Sequence, residues 1–319
     1  MKVVYITGCL GFIGSYVTRR CLEKGWMVYG VDKCTYAASI ESLKEFEKYK
    51  NFTFEKIDIK DMTHLYDCDY IINLAAESHV GNSIVDSKKF LDSNVAGTQN
   101  LLELVRHKQE NCNERPIFFH FSTDEVYGDI ESGAHIEDDL LKPSNPYSAA
   151  KAAADMLVNA WARTYGVNYI ILRPTNNYGI GQYPEKLIPL SVKNLVRNKK
   201  IRLHDGGKPV RTWLHADDTA LAVIKIIESG NINKIYNVSG GFERDNLTIV
   251  NKILESFFKN KVTEQTYVDH IDFSYNREGQ DVRYSLNDDS LRSIGWSPQR
   301  KFDEEIENIV EYYKNNFIW

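Results

Sequence analysis

The stretch that decides the fold is Thr7-Gly8-Cys9-Leu10-Gly11-Phe12-Ile13-Gly14, which lies where a predicted strand turns directly into a predicted helix. Gly8 permits the positive φ of a sharp turn, and Gly11 lets the backbone approach a pyrophosphate closely. Gly14 allows the helix to pack tightly on the strand, and the free N–H groups at the helix N-terminus bind the anion. Such glycines are typical of turns that bind a dinucleotide, but plain βα turns also carry them. The surrounding residues therefore decide between a dinucleotide site and a plain turn.

The acidic residue Asp32 supports a dinucleotide site. It ends the second predicted strand, 18 residues after Gly14. At that position an acid binds the ribose hydroxyls of adenosine and disfavours a 2′-phosphate. An isolated Asp could equally be a helix cap, but together with the glycine turn it predicts NAD, rather than NADP, as the cofactor.

Short apolar, β-branched runs alternate with amphipathic helical patterns over the first half of the chain, which is typical of βαβ units on a parallel sheet. The predicted strands are Val3–Thr7, Trp26–Val31, Phe52–Ile57, Tyr70–Leu74, Ile117–Ser122 and Tyr169–Leu172. The predicted helices are Phe12–Glu23, Ser42–Tyr49, Ser83–His107 and Tyr147–Tyr165, followed in the second half by Glu185–Arg197, Ala216–Glu228, Thr248–Phe258 and Phe302–Lys314.

The regular alternation ends at Arg173-Pro174. We therefore predict an α/β fold, with a doubly wound, Rossmann-type parallel sheet and a smaller, mixed α/β C-terminal substrate domain. The NAD-binding domain is predicted at residues 1–173 and the substrate domain mainly at 174–319, with some segments of the second half returning to the first domain. The site is expected in the cleft between them.

Composition narrows the class of protein. The 319 residues are 43% hydrophobic and 26% charged with a net charge of −5, which is ordinarily globular and leaves no basic surface for nucleic acid. The uncharged run at residues 3–18 is shorter than the ~20 residues of a membrane span, so no membrane association is expected. The five cysteines show no metal-binding spacing and are interpreted as reduced thiols, which predicts a cytoplasmic protein without a metal site.

Two further motifs carry chemistry. Tyr147 and Lys151 open an Ala-rich helix at i, i+4 spacing, which places the phenol and the ammonium on one face. A neighbouring Lys⁺ would lower the pKa of the Tyr, so that Tyr147 could remove a proton from a sugar hydroxyl. Alone, such a pair is more often part of an ordinary amphipathic helix; beside a dinucleotide motif it favours catalysis.

The second motif, Ser122-Thr123-Asp124-Glu125-Val126-Tyr127-Gly128, follows the fifth predicted strand, whose carboxyl end faces the ligand crevice. Two adjacent carboxyls there can take opposite protonation states, one as acid and one as base. Adjacent acids after a strand are usually solvated loop residues, but Thr123 and the Tyr147/Lys151 pair favour catalysis here.

Together these blocks resemble the extended short-chain dehydrogenase/reductase superfamily, and specifically its nucleotide-sugar 4,6-dehydratases. The resemblance extends over residues 1 to about 316. It is carried by Thr7–Ser15, Val31–Tyr36 (VDKCTY), Asn73–Val80 (NLAAESHV), Ser122–Gly128 (STDEVYG), Tyr147–Lys151 (YSAAK), Asn176–Gly179 (NNYG) and Pro184–Leu190 (PEKLIPL).

The resemblance implies a reaction. Tyr147, assisted by Lys151 and Thr123, would deprotonate the glucose 4-hydroxyl as hydride passes to tightly bound NAD. Glu125 would then remove the C5 proton while Asp124 protonates the departing C6 hydroxyl, and hydride returns to C6. The product is a nucleotide 4-keto-6-deoxyglucose, and this reaction is the first step of rhamnose or other deoxysugar synthesis.

The resemblance also implies two sets of contacts. Those to the cofactor are Gly8, Gly11, Phe12, Ile13, Gly14, Asp32, Lys33, Thr35, Asp58, Ile59, Leu74, Ala75, Ala76, Tyr147 and Lys151. Those to the nucleotide-sugar substrate are His79, Thr123, Asn176, Lys186, Leu187, Arg211, Asn246, Arg277 and Gln280, of which the two arginines suit a diphosphate.

Departures from the family pattern bear on the nucleotide. Gly81-Asn82-Ser83 stands where thymidine-type enzymes usually read Asp-Arg-Ser, and Gly279-Gln280 stands in place of Gly-His. Both departures favour UDP-glucose slightly over dTDP-glucose.

Rival interpretations are a C4 epimerase, a UDP-glucuronate decarboxylase and, from another class, a non-enzymatic NAD-binding protein. The helical segments Ser83–His107 and Ala149–Tyr165 carry apolar residues on more than one face, and relatives pair such helices across a two-fold axis, so a homodimer is expected.

Overall fold

A seven-stranded parallel sheet forms the centre of the molecule. The computed structural model describes residues 1–112, 115–274 and 281–316. Its strands are β1 Val3–Thr7, β2 Met27–Asp32, β3 Phe52–Lys56, β4 Tyr70–Asn73, β5 Ile117–Phe121, β6 Tyr169–Pro174, β7 Asn176–Tyr178, β8 Ile201–Arg202, β9 Val210–His215, β10 Lys234–Val238, β11 Phe242–Asp245 and β12 Ile271–Asp272. The large sheet has the order β10-β6-β5-β4-β1-β2-β3, and every neighbouring pair is parallel.

Helices cover both faces of this sheet. They are α1 Phe12–Glu23, α2 Ile40–Phe46, α3 Val80–Val85, α4 Lys88–Phe90, α5 Gly97–Cys112, α6 Pro146–Tyr165, α7 Leu187–Val196, α8 Ala216–Ser229, α9 Asn246–Phe257, α10 Glu264–His270, α11 Asp289–Ser293 and α12 Phe302–Asn315. Because side chains alternate along a strand, Val4 and Ile6 of β1 pack with α1 and α8, whereas Tyr5 packs with α5 and α6. The doubly wound α/β prediction is confirmed.

The second half of the chain builds a smaller unit beside the carboxyl ends of the strands. Strands β11, β9 and β7 form a mixed sheet, and β12 pairs with β8. Apolar residues of α7, α9 and α12 form a separate core around Trp213 and Phe302.

Two segments of the second half also join the large sheet. β10 pairs in parallel with β6, and α8 packs its apolar face in the same core as α1. The division at residues 173 and 174 stays a prediction, and a cut there would separate these segments from the sheet they complete.

The predicted helix Ser83–His107 is wrong as a continuous element. The interruption is at Asp86-Ser87, after α3; from Lys88 to Cys112, α4, a π-helical segment at Leu91–Ala96 and α5 follow one another without a break. A π segment leaves no simple periodic signal, since it shifts the apolar face by inserting one residue. The other predicted helices and strands match observed elements, most to within one or two residues at each end.

The uncharged run at residues 3–18 forms β1, the glycine turn and the beginning of α1. Within the described part of the chain, no helix is both long enough and apolar enough to cross a membrane.

Candidate active site

A cleft of about 310 Å³ opens at the carboxyl ends of β1 and β4. The strand order reverses between these two strands, since β2 and β3 follow on one side and β5 and β6 on the other. Such a reversal leaves a crevice in which doubly wound folds bind their ligands.

The glycine turn forms one wall of this cleft and leaves room for a pyrophosphate. Gly8 has φ +67°, and a Cβ on it would lie 2.8 Å from the Ala75 nitrogen. A Cβ on Gly14 would lie 2.0 Å from the Gly8 carbonyl oxygen, so only glycine fits. Helix α1 begins at Phe12 without a side-chain cap, and its first N–H groups are therefore free to bind an anion.

Asp32 closes the adenosine end of the cleft. Its Oδ2 accepts the Leu10 N–H at 3.1 Å, and its Oδ1 accepts the Cys34 N–H at 2.8 Å. Each carboxylate oxygen keeps a lone pair for a ribose hydroxyl. Burial raises the pKa of Asp32, and these two N–H groups oppose the shift by stabilising the charged form. The residues present therefore fit NAD.

The predicted cofactor residues all lie around this one cleft. The lining includes Gly8, Gly11, Phe12, Ile13, Gly14, Asp32, Lys33, Thr35, Asp58, Ile59, Leu74, Ala75, Ala76, Tyr147 and Lys151. They come from the ends of several strands, which the parallel sheet brings to one edge.

Helix α6 positions the Tyr147/Lys151 pair. Asn145 caps it, since its side chain accepts the Ser148 N–H while the Ser148 hydroxyl accepts the Asn145 N–H, and Pro146 occupies the first turn. The helix therefore begins directly at the cleft. Tyr147 and Lys151 both line the cleft although they are 8% and 4% exposed.

The expectation of a lowered pKa for Tyr147 is wrong for the chain on its own, where the net shift is upward. Burial raises the pKa of Tyr147 well above its usual value, and the charges of Glu125 and Asp124 add to this, whereas a hydrogen bond with Thr123 opposes it. The Lys151 ammonium donates to the Phe121 carbonyl oxygen. Burial lowers the pKa of Lys151 to about 8.

Asp124 and Glu125 lie on a 3₁₀ turn, Asp124–Val126, directly after β5. Thr123 donates its hydroxyl to Asp124 Oδ1 at 3.0 Å, while Asp124 Oδ2 is buried without a partner among the described residues. Burial, and then the charge of Glu125, raises the pKa of Asp124 to about 7.

Glu125 has a different environment. Burial raises the pKa of this group too, but Arg211 and Lys186 oppose the shift, and Asn145 Nδ2 donates to Glu125 Oε2 at 3.4 Å. The cations and the amide donor beside Glu125 favour its carboxylate, whereas the unpartnered Oδ2 of Asp124 among the described residues favours a proton there. This is the division that an acid–base pair requires.

The predicted substrate residues are only partly brought together. Thr123, Asn176 and Lys186 line the cleft. His79, Leu187 and Asn246 do not: His79 caps α3 through its ring nitrogen, Leu187 begins α7, and Asn246 begins α9. Arg277 and Gln280 lie outside the described residues.

Arg211, the other predicted diphosphate ligand, is buried beside the cleft. Its guanidinium donates to the carbonyl oxygens of Val210 and Asp281 and lies 4.6 Å from the centre of the Tyr284 ring. Its charge also opposes the raised pKa values of both Asp124 and Glu125. Arg211 therefore acts on the carboxyl pair electrostatically in this arrangement.

Several residues around the cleft were not predicted from the sequence. Ser93, in the π-helical segment, accepts a hydrogen bond from Lys33 at 2.8 Å, and Lys33 Nζ also lies 3.4 Å from Glu77 Oε1. No local pattern marks Ser93. Glu185 accepts the Tyr36 hydroxyl at 3.0 Å and lies in the PEKLIPL block, so that motif contained the signal for it.

With this geometry in place, comparison with known proteins is informative. The model of the family described as GDP-mannose 4,6 dehydratase matches residues 5–309. The chain belongs to this family. A probable dTDP-glucose 4,6-dehydratase of Sinorhizobium fredii is 39% identical, with 99% of this chain and 94% of that protein covered. The dTDP-glucose 4,6-dehydratase of Haemophilus influenzae is 38% identical, with 99% of both covered.

The crystal structure of a DesIV double mutant, a dTDP-glucose 4,6-dehydratase from Streptomyces venezuelae with NAD bound, superposes with a TM-score of 0.90 at 34% identity. The superposition covers 99% of this chain and 98% of the DesIV chain. The resemblance to nucleotide-sugar 4,6-dehydratases is thus confirmed for this member of the GDP-mannose 4,6 dehydratase family.

Proposed function

We propose that this protein is an NAD-dependent nucleotide-sugar 4,6-dehydratase that converts a glucose nucleotide into its 4-keto-6-deoxy derivative. The observation that carries this proposal is the meeting of two acid–base pairs in one cleft. Tyr147 and Lys151 serve oxidation, and Asp124 and Glu125 serve loss of water.

In this mechanism Tyr147, hydrogen-bonded to Thr123, takes the proton of the sugar 4-hydroxyl. The positive charge of Lys151, one turn further along the same face of α6, offsets part of the cost of the buried phenolate. The glycine turn and Asp32 would hold NAD, which would supply a hydride acceptor for C4 and, once reduced, a hydride donor for C6. The ketone at C4 acidifies the hydrogen on C5.

Elimination then falls to the carboxyl pair. Glu125 removes the C5 proton as the base, and Asp124 gives its proton to the C6 hydroxyl, which leaves as water and yields a C5=C6 double bond. When hydride adds to C6, protonated Glu125 returns a proton to C5, which completes the 4-keto-6-deoxy product. Hydroxide is a poor leaving group, so water departs only if a proton donor is in place. The unpartnered, buried Oδ2 of Asp124 and its raised pKa supply that donor.

We propose dTDP-glucose as the substrate, because the named relatives at 36–39% identity over nearly the whole chain are dTDP-glucose 4,6-dehydratases. The sequence favoured UDP-glucose through Gly81-Asn82-Ser83. In the structure this triplet forms the first turn of α3, and Asn82 Nδ2 lies 3.5 Å from the Tyr36 hydroxyl outside the cleft lining. UDP-glucose stays the alternative.

Parallel incubations with dTDP-glucose, UDP-glucose and UDP-glucuronate test this function. We expect mass spectrometry to show loss of one water, fastest from dTDP-glucose, without added NAD and without net accumulation of reduced nicotinamide. An isomer of unchanged mass would indicate an epimerase, and loss of carbon dioxide would indicate a decarboxylase. Consumption of none of the three would indicate a non-enzymatic protein.

A homodimer is proposed as the assembled state. Leu101 of α5 is fully buried in the core, so it gives no support, but Val85, Leu91 and Met156 are 88%, 51% and 50% exposed along α3, the π segment and α6. An apolar surface on such helices is stabilised by burial against a second copy.

Light scattering at micromolar concentration should therefore give the mass of a dimer. Met156→Glu should lower the dimer fraction, because it would bury a charge in the contact. The matched control is Val268→Glu, which alters a 61% exposed valine on α10 and should leave the mass unchanged. A monomer mass for the parent protein would contradict the proposal.

A further inference from the structure

A group of buried polar residues lies behind the cleft and takes no part in the mechanism above. Asp155 follows Lys151 by one turn of α6 and therefore lies on the same face of that helix. Asp155 is completely buried and does not line the cleft. His120 on β5 and Arg173 on β6 are equally buried and also lie outside the cleft lining.

Asp155 is paired with Arg173 and faces His120. Its Oδ2 accepts the Arg173 Nε–H at 3.0 Å, and its Oδ1 lies 3.5 Å from His120 Nε2. Because a guanidinium keeps its charge, the form of Asp155 that Arg173 stabilises is the carboxylate.

Arg173 extends this group to the turn that carries the elimination pair. It donates to the Tyr127 hydroxyl at 2.6 Å and lies 4.7 Å from the centre of the Tyr127 ring. The Tyr127 hydroxyl in turn donates to Asn237 Oδ1 at 2.9 Å. Tyr127 directly follows the turn of Asp124 and Glu125, so α6 and that turn share one buried set of contacts.

A buried ion pair is a poor device for stability alone, since well-packed apolar residues often stabilise a core as well or better. The position of this ion pair one helical turn after Lys151 indicates a further role. Lys151 interacts electrostatically with Asp155 and His120, and Tyr147 lies one turn before it on the same face of α6. Burial lowers the pKa of His120, which favours its neutral form. Burial also raises the pKa of Asp155, but the positive charges of Arg173 and Lys151 oppose that shift and favour the carboxylate.

We propose that Asp155 is a positioning residue for the oxidation step: its carboxylate, fixed by Arg173, keeps the Lys151 ammonium charged and directed at the cleft beside Tyr147. This inference rests on the proposed function, in which Lys151 stabilises the Tyr147 phenolate.

The electrostatics agree with this role. Burial lowers the pKa of Lys151 to about 8, and the charge of Asp155 opposes that shift. Removing the carboxylate would lower the pKa of Lys151 further. Lys151 would then lose its proton at a lower pH than in the parent protein, and the rate of the oxidation step would fall at that lower pH.

The test compares Asp155→Asn with the matched control Tyr127→Phe, which breaks the contact of Arg173 with Tyr127 but leaves the Asp155 charge in place. The rate of the oxidation step is measured against pH as the single-turnover change in nicotinamide absorbance. In Asp155→Asn we expect the alkaline limb of this pH–rate profile to lie about one pH unit lower than in the parent protein. kcat should fall while KM stays unchanged, because Asp155 does not line the cleft. Tyr127→Phe should lower Tm and leave the limb in place.

Trace acetylation of Lys151 by acetic anhydride across the same pH range gives a second readout, and it does not depend on turnover. Its midpoint should move down with Asp155→Asn only. If Asp155→Asn fails to fold, Asp155→Asn/Arg173→Met removes both buried charges and should move the midpoint in the same direction.

If the Asp155 variants kept both the alkaline limb of the pH–rate profile and the acetylation midpoint of the parent protein, the proposal would be overturned. The ion pair would then have a structural role. A parent protein that forms no dehydrated product would instead refute the proposed function, and the acetylation midpoint would still report on Asp155.

Discussion

Tyr147→Phe is expected to abolish formation of the dehydrated product, by about 10⁴-fold, the upper end of what a positioned acid–base group supplies. Without the phenol oxygen the 4-hydroxyl keeps its proton, so the ketone does not form and C5 stays non-acidic. Both later steps then fail with the first. The measurement is product mass, alongside single-turnover absorbance of reduced nicotinamide, and both signals should be missing.

Tyr165→Phe is the matched control, because Tyr165 ends the same helix and is 43% exposed. It should keep the parent rate. Equal Tm values for the two variants would show that the loss is chemical and does not follow from unfolding. Product formed by Tyr147→Phe at the parent rate would remove Tyr147 from the mechanism.

Asp124→Asn and Glu125→Gln should slow loss of water by about 10²–10⁴-fold while the oxidation step survives. The amides keep the shape of the carboxyls but can neither give nor take the proton. The two variants should differ in D₂O: Asp124→Asn still incorporates deuterium at C5, because the base is intact, whereas Glu125→Gln does not. Product mass and deuterium content are read from the same sample.

The elimination step should also depend on pH through Asp124. Its pKa is raised to about 7, so the protonated form that donates is lost as the pH rises through about 7. The parent enzyme should slow there, and Asp124→Asn should lack this dependence. Asp138→Asn and Glu131→Gln alter exposed acids on the following loop and serve as controls.

If both amide variants formed product at the parent rate, the assignment of Asp124 and Glu125 would be wrong. The chain would then be better described as an epimerase-like relative that carries two acids at the end of a strand.

Sequence predicts this fold well where the determinants are local. The glycine turn, the acid at the end of β2 and the capped beginning of α6 each depend on residues close together in the chain, and each is found where expected. Short apolar, β-branched runs likewise predicted β1 through β6. The site residues then lie around one cleft because the parallel sheet brings the carboxyl ends of its strands together.

What depends on distant contacts could not be predicted. The pKa of Tyr147 rises because the folded chain buries it beside Glu125, and no i, i+4 spacing reports burial. Asp155 resembles any polar residue of an amphipathic helix until Arg173, 18 residues away, is placed against it. The five-residue β10 is marked as a strand only by its register with β6.

The pairing of β10 with β6 has a consequence for how the protein is made. A ribosome releases the chain from the N-terminus, so β6 emerges about sixty residues before the strand that completes it. During that interval β6 is an open edge with unpaired N–H and C=O groups, and the apolar side of α1 lacks α8. The nucleotide-binding half therefore cannot finish folding until the ribosome has passed Val238. Chaperone dependence and aggregation of nascent chains should concentrate in that window of translation.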